Sequence, residues 1–168
     1  MTDEAFRSFY EDYRDPLFRF AYRLTGAAEA AEDLVHDCFV GLMRGGFDAN
    51  RGPIKTYLYA VIRNLSRKRH RDQGREDLTC DADERMGASI GPLDSLLSRE
   101  TADAVRLAVE ALPLLQKEVL ILFEYEDLPL DEIANIVDAE VGAVKSRLHR
   151  AREGLRKSLA PALKETAK

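Results

Sequence analysis

Apolar side chains recur along this chain at steps of three and four, and two-residue alternation is scarce, so helices rather than strands are predicted throughout. Phe6, Phe9, Tyr10, Tyr13, Leu17, Phe20 and Leu24 mark a first helix. Thr2 or Asp3 can cap it, Gly26 can end it, and Pro16 is expected to kink it or divide it in two. A second helix is predicted from about Ala27 to Arg44, with Ala31, Leu34, Val35, Cys38 and Leu42 on one face and Gly45-Gly46 as its stop. A loop from Phe47 to Gly52 leads to Pro53, which suits the start of a third helix. That helix carries Ile54, Tyr57, Leu58, Val61, Ile62 and Leu65 in one apolar stripe. Its other side is predicted to expose Lys55, Tyr59, Arg63, Asn64, Arg67, Lys68 and Arg71.

Periodicity fades over residues 72–94, where glycine, Pro92, Ser89 and several acids replace the apolar stripe. A flexible linker is expected there. Beyond it the pattern predicts four helices, at about Ser95–Ala111, Leu114–Tyr125, Leu130–Val137 and Val141–Leu159. The run Val119 to Phe123 implies burial on most sides. The fold class is therefore all-α: two small helical domains, at 1–71 and 95–168, joined by a flexible linker.

The last two helices have the spacing of a helix-turn-helix. Ala134 is small where two crossing helices approach, and Asp138-Ala139-Glu140 forms the turn, with Asp able to adopt a left-handed conformation. Val141, Val144 and Leu148 return an apolar face to the preceding helix. Lys145, Ser146, His149 and Arg150 then project from the N-terminal half of the second helix, the part that meets base edges in a major groove. Arg147, Arg152, Arg156 and Lys157 are placed to meet phosphates.

Charge sharpens this picture. The formal net charge is −5, which by itself argues against a nucleic-acid partner. Its distribution does not. Residues 51–75 carry +7 and residues 141–168 carry +6, while 1–50, 76–110 and 111–140 carry −5, −6 and −7. The first basic segment combines Arg and Lys with Tyr59 and follows a loop bearing Phe47 and Asn50, a composition suited to holding and stacking a single strand.

Other classes fit poorly. No stretch approaches the roughly 20 apolar residues of a membrane span, and the acidic start Met1-Thr2-Asp3-Glu4 does not resemble a secretory signal, so a cytoplasmic location is expected. Two cysteines make no disulfide framework. Cys38 reads as a small core residue, and Cys80, in an acidic stretch, as a candidate reactive thiol. His36 and Cys38 are the nearest approach to a metal pair, but an i, i+2 pair on a helix points to different faces, so no metal site and no cofactor are expected.

These features together resemble bacterial RNA polymerase sigma factors, specifically the two-domain extracytoplasmic-function group. The first domain carries the resemblance through Tyr22-Arg23-Leu24-Thr25-Gly26, Ala31 to Phe39, Phe47 to Gly52 and Thr56 to Asn64. The second carries it through Leu112-Pro113, Gln116 to Leu120, Asp131 to Ala134 and, most specifically, Val141 to Arg152. The domain at 1–71 resembles sigma region 2, and that at 95–168 resembles region 4.

The resemblance implies a role for each face. The second helix would dock on the polymerase core through Asp33, His36 and Asp37, with Leu34 and Val35 divided between core and contact. The −10 promoter element would be engaged and opened by Phe47, Asn50, Arg51, Tyr57, Arg63, Asn64, Arg67 and Lys68. The −35 element would be read by Lys145, Ser146, His149 and Arg150, with Arg147 and Arg152 beside them. It further implies a dissociable promoter-specificity subunit without bond chemistry, whose partners are polymerase core, promoter DNA and an anti-sigma factor. No small-molecule substrate and no direct membrane insertion are implied.

Three positions depart from the family pattern. Tyr57 stands where Trp is usual, and the chain has no Trp. His36 stands where Gln is common, which would make core binding pH-sensitive. Glu140 stands where a small polar cap is common, and its carboxylate suits the helix dipole while repelling phosphate. Two other functions compete: a sigma-mimicking antagonist of an anti-sigma factor, and a stand-alone helix-turn-helix regulator. The first would lose the DNA-facing residues, and the second would not need the Asp33-His36-Asp37 surface.

Overall fold

A computed structural model of the chain describes residues 3–45, 47, 48, 50, 52–73 and 99–166, the last five by backbone alone. Two compact units divide it, Met1–Arg75 and Glu76–Lys168. Most of the expected linker, and the start expected for the fourth helix at 95–98, lie outside the described residues, as do Arg51 and Cys80.

The first unit has three helices: α1 (Asp3–Thr25), α2 (Ala28–Met43) and α3 (Ile54–Asp72). α1 is one continuous element rather than two. Pro16 removes a backbone donor and crowds the preceding turn, but tertiary contacts hold the helix on both sides of it. Before it, the rings of Phe6, Phe9 and Tyr10 lie 6.1, 6.4 and 4.8 Å from that of Phe39 on α2. After it, Leu17, Phe20, Ala21 and Leu24 are buried, and burying each large apolar side chain contributes about 1.5–3 kcal/mol. Gly26 ends α1 at φ 73°, its N–H donating to Tyr22 O at 2.7 Å. Gly45 ends α2 at φ 82°.

α3 packs against both α1 and α2. Its buried arc is therefore wider than the stripe read from periodicity, and it is rotated. Leu58, Tyr59, Ile62, Arg63 and Ser66 are buried, while Tyr57, Val61 and Leu65 are only partly covered. Tyr59, expected on the surface, is 1% exposed, with its ring 5.1 Å from that of Phe20. Contact with α1 is the physical reason, because one helix facing two neighbours buries residues that a single stripe assigns to solvent. Cys38 is buried as expected, its thiol 3.9 Å from Leu58 O, and burial pushes its pKa up to about 12.

The second unit has α4 (Arg99–Glu110), α5 (Leu114–Leu120), a π-helical turn (Ile121–Tyr125), α6 (Leu130–Val137) and α7 (Val141–Thr166). α4, α5 and α6 all pack on α7. Val119, Leu120, Ile121 and Leu122 are buried, as their run implied. A Cβ built on Gly154 would meet Leu112 Cδ2 at 3.1 Å, so α7 passes closely over the α4–α5 turn. α7 continues through Pro161 to Thr166, beyond the predicted end at Leu159. No helix among the described residues is long and apolar enough to cross a membrane.

Candidate nucleic-acid interface

The helix-turn-helix is built around Asp138. This residue sits in the left-handed region at φ 51°, ψ 55°, and lets Ala139 N–H donate to Ala134 O at 3.0 Å. Ile133, Ala134, Ile136 and Val137 of α6 are buried, as are Val144, Leu148 and Ala151 of α7, whereas Val141, expected on that face, is exposed at the first position of the helix. Burial of that face turns Lys145, Ser146, His149 and Arg150 outward, and all four are exposed. Arg147 is half-buried, with one amino nitrogen buried and lacking a hydrogen-bond partner. Arg152 is half-exposed and engaged with Glu124 at 2.8 Å. Glu140 is exposed just before α7, and its carbonyl accepts from Val144 N–H.

On α3 the outward stripe runs Tyr57, Val61, Asn64, Lys68 and Arg71, at helical steps of four and three. Phe47 stands at its head, its ring 5.3 Å from that of Tyr57. Burial, and then Cys38 nearby, push the Tyr57 hydroxyl above its ordinary pKa, so it stays a neutral donor. Asn50 is exposed, its N–H donating to Asp48 Oδ1 at 3.0 Å. Arg67 is half-buried.

Arg63 is 4% exposed, and its Nη1 donates to Asn64 Oδ1 at 3.1 Å. The expectation that Arg63 is exposed is corrected by this burial, four residues after Tyr59 on the same face of α3. Its geometry suits it instead to orient Asn64, since an amide whose oxygen is occupied turns its NH₂ donors elsewhere.

On α2, Asp33, His36 and Asp37 are exposed, while Leu34 and Val35 are 4% and 5% exposed and belong to the core. Successive residues 34 and 35 fall on the face shared with α1 and α3, which leaves little of either for a partner. Asp33 lies 4.0 Å from Arg69 of α3, a long ion pair between exposed groups. Asp33 and His36 also line an open groove of about 560 Å³ between α1 and α2, with Tyr10, Arg14 and Phe18. No group of three or more potential metal ligands occurs among the described residues.

Residues 9–76 match the family model for Sigma-70 region 2, and residues 102–155 match that for Sigma-70, region 4. The ECF RNA polymerase sigma factor SigW of Bacillus subtilis is 31% identical over 93% of this chain and 89% of its own length. The chain belongs to the ECF RNA polymerase sigma factors. The ECF RNA polymerase sigma-E factor of Escherichia coli is 30% identical over 79% of this chain and 75% of its own. Among solved structures, RpoE of Bartonella quintana in complex with the anti-sigma factor NepR has a TM-score of 0.69 at 23% identity, covering 94% of this chain and 98% of that one. CnrH in complex with the cytosolic domain of CnrY also has a TM-score of 0.69, at 21% identity, covering 95% of this chain and 90% of that one. These two carry the all-α fold.

As an ECF sigma factor the protein binds RNA polymerase core and promoter DNA and directs the polymerase to promoters. The family is one of non-catalytic transcription initiation factors. Periodicity alone does not place two residues of interest on the sigma factor's surface. Val61 belongs to the predicted apolar stripe of α3 and is only partly covered, between Tyr57 and Asn64. Nothing in the sequence pairs Glu124 with Arg152, 28 residues away.

Proposed function

We propose that the two units divide promoter recognition between them, the first binding polymerase core and the −10 element and the second reading the −35 element. The observation that carries this is the outward face of α7. Lys145, Ser146, His149 and Arg150 are exposed together on the second helix of a helix-turn-helix, where base-edge donors belong. In the first unit, Phe47, Tyr57 and Asn64 lead a stripe that continues into Lys68 and Arg71. Aromatic and amide groups there suit unstacked bases, and the cations suit the strand's phosphates. Arg63 serves as a positioning residue for Asn64, and Asp33, His36 and Asp37 meet the core.

The protein carries out no bond chemistry of its own, and it works in the cytoplasm, where polymerase is. An anti-sigma factor is a further partner, supported by a fold neighbour solved with one, RpoE with NepR. Reconstituted transcription tests the reading. Added to sigma-free bacterial core, the protein should initiate at specific positions across a genomic promoter library. Absence of core binding and of promoter-specific starts would overturn it.

A further inference from the structure

Arg152 is held by a carboxylate from a different element, whereas Arg156, also engaged on α7, pairs within its own helix with Glu153 at 2.8 Å. Arg152 follows Lys145 by seven residues and His149 by three, which places it at the edge of their stripe. Its Nη2 donates to Glu124 Oε1 at 2.8 Å, and its Cζ lies 5.2 Å from the centre of the Phe123 ring. Glu124 and Phe123 are neighbours on the π-helical turn. Carboxylate and ring therefore hold the guanidinium from two sides. The ion pair is open to solvent, with Arg152 48% and Glu124 45% exposed.

An exposed ion pair is weak enough to exchange, and phosphate is a favoured partner of a guanidinium. A ring contact does not use the guanidinium's donors in the same way, so Arg152 can pass from carboxylate to phosphate while resting on Phe123. Until it does, its charge is offset by an adjacent carboxylate, and it brings little net attraction to DNA.

We propose that Glu124 is an electrostatic latch on Arg152, withholding this arginine from the DNA backbone until phosphate displaces the carboxylate, and so setting how strongly the second unit holds its promoter element. This rests on the assignment of α7 as the DNA-facing helix. Glu124 touches no base and acts through Arg152, so it is a positioning residue that tunes affinity rather than sequence choice.

The test uses the full chain and a fluorescent random-sequence duplex, since a phosphate contact needs no promoter. Glu124→Gln should tighten binding at low salt by roughly two- to fivefold. The fall of log K with log salt should keep its slope, because Arg152 meets phosphate in both complexes, and should flatten by about 0.9, the contribution of one phosphate contact, in Arg152→Ala. In the Arg152→Ala background Glu124→Gln should bring no gain in affinity. Glu124→Asp, which keeps the charge but shortens its reach, should give a smaller gain, and provides the comparison if the Gln variant fails to fold by circular dichroism.

Unchanged or weaker binding by Glu124→Gln, an undiminished slope in Arg152→Ala, or an equal gain without Arg152 would each overturn the latch. Lys145→Ala and Arg150→Ala separate this failure from a wrong assignment of the helix. If they weaken binding while Glu124→Gln has no effect, the latch alone is wrong. If neither weakens binding, or no variant and no parent binds the duplex at low salt, α7 is not the DNA-facing helix and the latch falls with it.

Discussion

Cys38 shows how far a single side chain can be shifted by burial. Its thiol pKa rises from an ordinary 9.0 to about 12, because a thiolate between α2 and α3 would lose its water. The unfolded thiol ionises first, so its contribution to stability is complete below about pH 9 and is lost as pH rises through 12. In a Cys80→Ser background, iodoacetamide at pH 8 should leave the folded protein unmodified and label it fully in denaturant. Labelling of the native protein at the rate of a free thiol would contradict this burial. Glu110 is shifted in the same direction. Both its carboxylate oxygens are buried without a hydrogen-bond partner, and burial raises its pKa despite Lys117 and Arg106 nearby. Its charged form is disfavoured in the fold, so stability from this group is present at low pH and lost as pH rises through its raised value. Glu110→Met should therefore stabilise the second unit at pH 7 by about 1–3 kcal/mol. The gain should shrink toward pH 4, as thermal melts at the two pH values would show.

At the scale of elements, the helix boundaries were largely legible because glycine, proline and apolar spacing agree locally. Gly26, Gly45, Pro53, Pro113 and Asp138 all stand at helix ends or turns, where their backbone preferences put them. What periodicity does not carry is the number of neighbours a helix has. α3 has two, and this explains why Tyr59 and Arg63 are buried and Val61 is half-exposed. Pro16 failed as a boundary for the same kind of reason, since ring packing on Phe39 before it and burial of Leu17 and Phe20 after it fix the helix from both sides. Asp138 is the element whose local chemistry decides most. Asp138→Gly should be tolerated, while Asp138→Val should cost about 1–2 kcal/mol for a β-branched residue held left-handed. Denaturant unfolding would measure both, and equal stability of the two would show that the turn relaxes to another conformation.

For the whole molecule, the formal charge of −5 is an average over segments of opposite sign, and the structure displays the positive ones on single helices. Two substitutions separate the jobs proposed for the first unit. Asp33→Lys should abolish binding to polymerase core while leaving helicity unchanged, which a pull-down and circular dichroism would report together. Asn64→Ala should spare closed-complex formation and impair strand opening, and permanganate footprinting with undiminished reactivity would contradict it. The exposed candidate residues on α2 and α7 were legible because each lies opposite a clear apolar stripe. The Glu124–Arg152 pair was not, because only the folded chain brings the turn after α5 beside α7.

That turn is wider than an α-helix by one residue: Glu126 N–H reaches back to Ile121 O, five positions away, at 3.1 Å. One residue of α-helix is about 100° of rotation. The π turn therefore stores a phase, and the direction in which Phe123 and Glu124 point depends on it as much as on their identity. Deleting Leu122 would let the segment rewind as ordinary helix, swinging the ring and the carboxylate away from Arg152 without altering either. Sequence comparison by side-chain identity would score such a protein as nearly unchanged, yet its grip on DNA would have a different setting.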